Sequence, residues 1–231
     1  LPDTRPYNTD MMKHKAEELI IYMDASILVV RKPAGLAVET KRATEVDLES
    51  LLRSYLTQKG EASELHIIQR LDQPVEGLLA FARNKKAAAD LTRQLGSGSI
   101  QKNYRALVEG PVPAKEGLLT DWLQRDPKTN SSQVVEQPAK SQAAKGRFVP
   151  KKAELSYRKI AEREVEIALK TGRHHQIRVQ LAHAGMPIKG DRKYGAKSGG
   201  PLCLCSCRLT LLHPDTRKRM GWSIVPSFEG K

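Results

Sequence analysis

The sequence has no apolar run approaching the ~18 residues that a membrane-spanning helix needs, which excludes a helical membrane span. The N-terminus lacks the charged-then-apolar order of a secretory signal, and it begins with Leu rather than Met. Cysteine is scarce: Cys203, Cys205 and Cys207 are the only three in 231 residues. An odd number packed so tightly makes no disulfide framework. There is no Cys-x-x-Cys pair, so a thiolate metal site would have to recruit ligands from elsewhere in the chain. The alternating spacing instead predicts three small hydrophobes on the buried face of a strand. Free thiols fit a reducing cytosol, so a cytoplasmic protein is expected. No internal repeat is evident. Negative charge is also short, with 26 acidic residues against 39 Lys and Arg, a formal charge of +13.

What is present is an ordinary globular composition, 39% hydrophobic and 28% charged, long enough for one large domain or two small ones. The basic excess suits a polyanionic partner, because each Lys or Arg that neutralises a phosphate releases counterions. A generally basic surface is the plainer alternative. Adhesion to an anionic membrane finds no strongly amphipathic basic helix to carry it.

Residues 1–18 are polar and aperiodic and read as an arm, followed by one domain over 19–231. Two β-rich runs, 19–22 and 27–30, flank Asp24-Ala25-Ser26 and predict a hairpin ending at Lys32-Pro33-Ala34-Gly35. Leu48, Leu51, Leu52, Tyr55 and Leu56 recur at helical spacing and predict a helix over 46–58, stopped by Gly60. A strand is expected from His66 to Leu71. Leu78 to Ala82 is continuously apolar, a strand buried on both faces. Asn84 is placed to cap the next helix, and a strand follows at 101–108. Residues 124–152 are rich in Lys, Ser, Gln and Pro and read as a long basic loop. Strands are expected at 153–160, 163–169, 202–211 and 221–225, with a helix over 174–184. Strands outnumber helices and often connect directly. The predicted class is α+β: a mixed, largely antiparallel central sheet flanked by helices.

Three segments carry chemistry. Ile68-Gln69-Arg70-Leu71-Asp72-Gln73-Pro74-Val75-Glu76-Gly77-Leu78-Leu79 puts an Arg and an Asp on a strand-to-loop edge. Lys102-Asn103-Tyr104-Arg105-Ala106-Leu107-Val108 sets an aromatic among basic residues on a strand. Thr171-Gly172-Arg173-His174-His175-Gln176-Ile177-Arg178-Val179 leads into Gly190-Asp191-Arg192-Lys193-Tyr194-Gly195.

Together and in this order, the segments resemble the RluA family of pseudouridine synthases. That family carries His-Arg-Leu-Asp with a small-residue turn and Gly-Leu-Leu, then Lys-x-Tyr, Thr-Gly-Arg-Thr-His-Gln-Ile-Arg-Val, and Gly-Asp-x-x-Tyr-Gly. The resemblance spans roughly residues 19–228. Gln69 stands where the family has His, Val75 and Glu76 where Thr and Ser are common, and His174 where Thr is usual. The resemblance implies the pseudouridine synthase catalytic fold without an S4-type RNA-binding domain. It implies isomerisation of uridine in rRNA or tRNA, with no metal or other cofactor, by a protein expected to be a monomer.

The chemistry breaks a C–N glycosidic bond, rotates the base and forms a C–C bond at C5. Positive charge builds on the sugar, so a carboxylate is needed, as stabiliser, nucleophile or base. The resemblance assigns this part to Asp72 and leaves the three routes open. It implies that Arg178 pairs with the catalytic Asp. An ionised Asp in a closed pocket needs such a partner, and an Arg among Ile177 and Val179 needs one too. It also implies that Tyr104 packs on the flipped base and helps remove the C5 proton. Arg70 would fill the gap that the base leaves or hold the displaced strand. The plainer alternatives are a core Tyr on a half-buried strand for Tyr104, a surface salt bridge for Arg70, and a structural bridge from a helix to a surface carboxylate for Arg178. Lys102, Arg173 and His175 are candidate phosphate contacts, with a buried structural role the alternative for His175. Glu76 brings a second carboxylate near Asp72 and is expected to turn outward or meet a base. Three other readings stand beside this one: a non-catalytic RNA-binding protein on the same fold, a glycoside hydrolase using Asp72 and Glu76, and a thiolate metal protein around Cys203.

Overall fold

The computed structural model describes residues 16–229 except 41, 43 and 139–148. The chain divides into two compact units, Leu1–Gln101 with Arg208–Ile224, and Lys102–Cys207 with Val225–Lys231.

The first unit is built on a strand that cannot face water on either side. β1 (Ile20–Met23) and β2 (Ile27–Lys32) form the expected hairpin, and β2 pairs antiparallel with β4 (Glu76–Ala82), from Ile27 opposite Ala82 to Lys32 opposite Gly77. All seven residues of β4 are buried. Side chains alternate across a strand, so Leu79 and Phe81 join Leu28 and Val30 on one face. They pack there under Leu48, Leu52 and Leu56 of α1 (Leu48–Gln58). On the other face Leu78, Ala80 and Ala82 join Ile27 and Val29 against Ala87 and Leu91 of α2 (Lys85–Gly96). Asp47 and Ser50 form a reciprocal capping box at the start of α1. Asn84 caps α2 by accepting from the Ala87 N–H at 2.9 Å. Each cap satisfies a backbone donor that the first turn leaves without a partner.

β3 is shorter than the sequence predicts. Only His66–Ile67 pairs with β4, and the chain from Ile68 to Asp72 leaves the ladder. Late in the chain β10 (Leu204–Leu212) pairs antiparallel with β11 (Arg219–Ser223), and Leu209 and Leu211 join the α2-side core. Residues 1–15 of the expected arm lie outside the described residues. Residues 16–19 are helical, and Ala16 is fully buried in the α1 core.

In the second unit β5 (Gln101–Leu107), β9 (Glu164–Leu169), β8 (Lys151–Ala161), β6 (Glu116–Asp126) and β7 (Ser131–Val135) neighbour one another in that order, antiparallel throughout. Here the structure corrects the long loop expected over 124–152. Residues 124–126 end β6, and 131–135 form β7, paired with β6 from Trp122 opposite Val135 to Asp126 opposite Ser131. Burial does not reveal these strands, because β7 buries only Ser132. Backbone pairing holds them, and polar side chains mask the period-2 signal. Residues 139–148 of that stretch lie outside the described residues. α3 (Gln176–His183) contributes Val179 to a small core with Leu123 and Ala153, against which Val134 and Tyr194 pack. The three cysteines are buried, Cys205 and Cys207 within β10. The class is α+β, as the sequence predicts.

Candidate active site

Asp72 and Arg70 belong to the first unit; Lys102, Tyr104, Arg173, His175 and Arg178 belong to the second. Around Asp72 the backbone is clamped. Asp72 opens a turn in which the Val75 N–H donates to its carbonyl at 3.0 Å. The next carbonyl, of Gln73, accepts from the Gly35 N–H at 2.9 Å and from Lys32 Nζ at 2.9 Å. Gln73 Nε2 returns a bond to the Gly35 carbonyl at 3.1 Å. Gly35, at φ 89°, adopts a left-handed conformation that glycine takes without strain.

Lys32 is a residue whose part the sequence does not reveal. Its side chain is fully buried, and Nζ also donates to the carbonyls of Pro33 at 3.0 Å and Leu36 at 2.7 Å. Burial lowers its pKa to about 8, against the negative charges of Asp72 and Glu76, which raise it. The Lys-Pro-Ala-Gly turn therefore brings a buried positive charge to the Asp72 turn. In sequence it looks only like a hairpin end. Glu76 meets a base, as expected, and is not turned outward: it is buried, 3.5 Å from Arg31. Arg70 is well exposed and pairs with Glu39 at 2.9 Å, a surface bridge worth ~0–1 kcal/mol.

In the second unit, Tyr104 lies on β5 opposite Ile167 and is 5% exposed. Lys102, on the same strand, has its pKa lowered by burial. Arg178 sits in the first turn of α3 and is gripped by Asp191. Nε donates to one carboxylate oxygen at 2.7 Å and Nη2 to the other at 2.8 Å, with both residues buried. This is the fork geometry that a guanidinium and a carboxylate share. The Tyr194 ring lies 5.0 Å from the guanidinium, within cation–π range.

The Tyr194 hydroxyl accepts from the Ser132 N–H at 2.9 Å and lies 2.6 Å from His175 Nδ1. His175 has its pKa pushed down to about 2, by burial first and then by the charges of Arg178, His174, Lys193 and Arg125. His175 is buried and stacked on His174 at 3.8 Å between centroids. Arg173 is exposed, with Nε bonded to the Lys152 carbonyl at 2.9 Å. Gln176 Oε1 gathers the approach to α3, accepting from Thr171 Oγ1 at 2.7 Å and the Arg173 N–H at 2.9 Å. Gly190, just before Asp191, lies close under the Pro201 carbonyl, where a Cβ would stand 2.2 Å from the oxygen. Thus Gly-Asp-x-x-Tyr-Gly is the brace for Thr-Gly-Arg-His-His-Gln-Ile-Arg.

A family model described as RNA pseudouridylate synthase matches residues 26–183. The chain belongs to the RNA pseudouridylate synthase family. Among curated proteins it is 33% identical over 180 residues to an uncharacterized RNA pseudouridine synthase, YhcT, of Bacillus subtilis, covering 78% of this chain and 58% of that protein. It is 30% identical over 224 residues to ribosomal large subunit pseudouridine synthase D of Nitrosomonas europaea, covering 90% and 63%. The chain thus spans about three fifths of the length of these relatives. The fold is that of human RNA pseudouridylate synthase domain containing 4, with a TM-score of 0.75 at 21% identity over 95% of this chain and 94% of that one. The family match includes Asp72, Tyr104 and Arg178 and ends before Asp191 and Tyr194, so the brace on Arg178 comes from beyond it. These relatives place the chain among the RluA-type members of the pseudouridylate synthase family.

Proposed function

We propose that this chain isomerises uridine to pseudouridine in structured RNA, with Asp72 as the essential carboxylate. The observation that carries the reading is the clamped Asp72 turn, with a buried Lys32 ammonium beside it, in a chain of this family. A buried positive charge favours the ionised carboxylate, the form that stabilises charge on the sugar, attacks it or takes a proton. Tyr104 supplies an aromatic face for the base; such stacking is worth ~1–3 kcal/mol per base. Arg178, gripped by Asp191 and lying over the Tyr194 ring, is a second cation assigned to the catalytic group. Arg70, exposed and tied only by a surface bridge, exchanges Glu39 for the RNA when the target base leaves its stack. Lys102 and Arg173 contact phosphates. The substrate class is rRNA or tRNA, and the relatives named for the large ribosomal subunit favour rRNA. The protein acts in the cytoplasm as a monomer.

Tritium release from RNA labelled at uridine C5 tests the reading. Wild-type protein should release tritium and yield pseudouridine, and Asp72→Ala should abolish release while keeping RNA affinity. Binding without release would make the protein a non-catalytic RNA binder. Free uracil among the products would make it a hydrolase, a role for which Glu76 is poorly placed because it is buried against Arg31.

A further inference from the structure

Several cations of the second unit meet a carboxylate. Arg105 meets Glu164 and Glu229, Arg158 meets Glu166, Lys152 meets Glu154 and Arg178 meets Asp191. Arg125, Lys193 and Arg173 meet no carboxylate among the described residues, although all three are exposed. Each is held by neutral oxygen instead. Lys193 Nζ donates to the carbonyls of Thr129 at 3.0 Å and Asn130 at 3.1 Å. Arg125 Nη2 donates to Asn130 Oδ1 at 2.9 Å, and Arg173 Nε to the Lys152 carbonyl. The carboxylate in the same turn, Asp126, is engaged by the turn's own donors, the Lys128 N–H at 2.9 Å and Thr129 Oγ1 at 2.8 Å.

Arg125 and Lys193 converge on Asn130, one bonded to its side-chain oxygen and the other to its carbonyl, and both act electrostatically on His175, which Arg173 precedes by two residues. Neutral oxygens order a cation without neutralising it. Holding like charges close together works against folding unless something supplies the missing negative charge. A sugar–phosphate backbone supplies it at regular intervals, and the Arg fork matches a phosphate in two bonds.

We propose that Arg125, Lys193 and Arg173 form a phosphate-gripping surface on the second unit for the backbone of the substrate RNA. The family motif specifies Arg173 and leaves the position of Lys193 open. Arg125 comes from the β6 end that sequence alone reads as loop. The proposal rests on RNA being the substrate, and it adds a grip that reads charge rather than sequence.

The test is equilibrium binding of a transcribed large-subunit rRNA fragment over a series of salt concentrations, with tritium release measured on the same preparations. The variants are Arg125→Gln with Lys193→Gln, and separately Arg173→Gln. The control is Lys86→Gln, a lysine of the first unit paired with Asp215. All are exposed sites, and unfolding midpoints check that the fold survives. The slope of log affinity against log salt should become shallower by ~0.7–0.9 for each phosphate that a variant no longer neutralises, so by ~1.4–1.8 for the double variant. Affinity at low salt should fall about tenfold or more, and the control should match wild type. An unchanged slope in both variants, with wild type active, overturns the surface and leaves the isomerase reading standing. A shallower slope with no tritium release from wild type upholds the surface and overturns the isomerase. Failure of wild type to bind RNA overturns both.

Discussion

Lys32 offers a test in which stability and activity move in opposite directions with pH. Its ammonium is fully buried and bonded to three carbonyls, of Pro33, Leu36 and Gln73. Its pKa is lowered from 10.5 to about 8. Below pH 8 the folded and unfolded chains both carry the proton. The fold then bears the whole cost of burying the charge, ~3 kcal/mol at ~1.4 kcal/mol per pH unit. From about pH 8 to 10.5 the unfolded chain binds more protons than the folded one, so this residue's contribution to stability rises with pH; above that window the penalty is gone. Activity should do the reverse. Deprotonation removes the positive charge beside Asp72 and a donor from the Gln73 clamp, so turnover falls as pH rises through about 8. The perturbation is Lys32→Met, similar in length and uncharged. It takes a donor from three carbonyls; that of Gln73 keeps the Gly35 N–H, so those of Pro33 and Leu36 bear the loss, at ~1–3 kcal/mol each, against ~3 kcal/mol recovered by not burying a charge. The two terms are of similar size at neutral pH, and wild type should gain on the variant by up to ~3 kcal/mol through the window. Urea unfolding across pH, with tritium release measured alongside, reads both trends. Parallel stability curves for the two proteins, or wild-type activity flat through the window, would refute the reasoning.

The other predictions concern sites where local chemistry sets a sign. Gln69 is 8% exposed, and neither of its amide atoms has a hydrogen-bond partner among the described residues. Replacing both unsatisfied groups by a similar volume in Gln69→Met should stabilise the protein by ~1–3 kcal/mol, seen as a higher urea midpoint at unchanged slope; a drop of ~1 kcal/mol or more would mean that the amide is satisfied. Asp191→Ala leaves the Arg178 guanidinium buried without its fork, so stability should fall by ~3–5 kcal/mol and tritium release should be lost; near-wild-type stability would count against the brace. Gly190→Ala drives a Cβ into the Pro201 carbonyl at a φ of +83°, whereas Gly172 has open space around it. The first substitution should cost ~3 kcal/mol or more and Gly172→Ala ~1 kcal/mol or less in thermal or urea unfolding.

The elements that could be read in advance are those whose local signals agree. β4 announced itself by an unbroken apolar run, α1 by leucines three and four apart, and α2 by the Asn84 cap. β6 and β7 were hidden because pairing rather than burial holds them, so their side chains look like loop. Of the residues proposed for the site, Asp72, Tyr104 and Arg178 were legible through ordered motifs. Lys32, Asp191 and Tyr194 stand in the sequence, but their parts do not show there. A buried lysine reads the same as a surface lysine until its three carbonyls are located. Asp191 stands 13 residues from Arg178, beyond the end of α3, and no helical or strand period links them.

The way the chain is divided has a consequence for its synthesis. The first unit needs Arg208–Ile224 as well as Leu1–Gln101, and Leu209 and Leu211 complete the α2-side core. A ribosome working at ~5–20 residues per second makes the whole of Lys102–Cys207 before that closing strand emerges, an interval of roughly 5–20 s. Through that time Leu78, Ala80 and Leu91 lack their last neighbours. The clamp on Asp72, by contrast, lies wholly within the first 76 residues, since Lys32, Gly35, Gln73, Val75 and Glu76 are all made early. The carboxylate's setting is thus translated long before the core beneath it can close, and a nascent chain stalled near residue 200 would carry the Asp72 turn on an unfinished foundation.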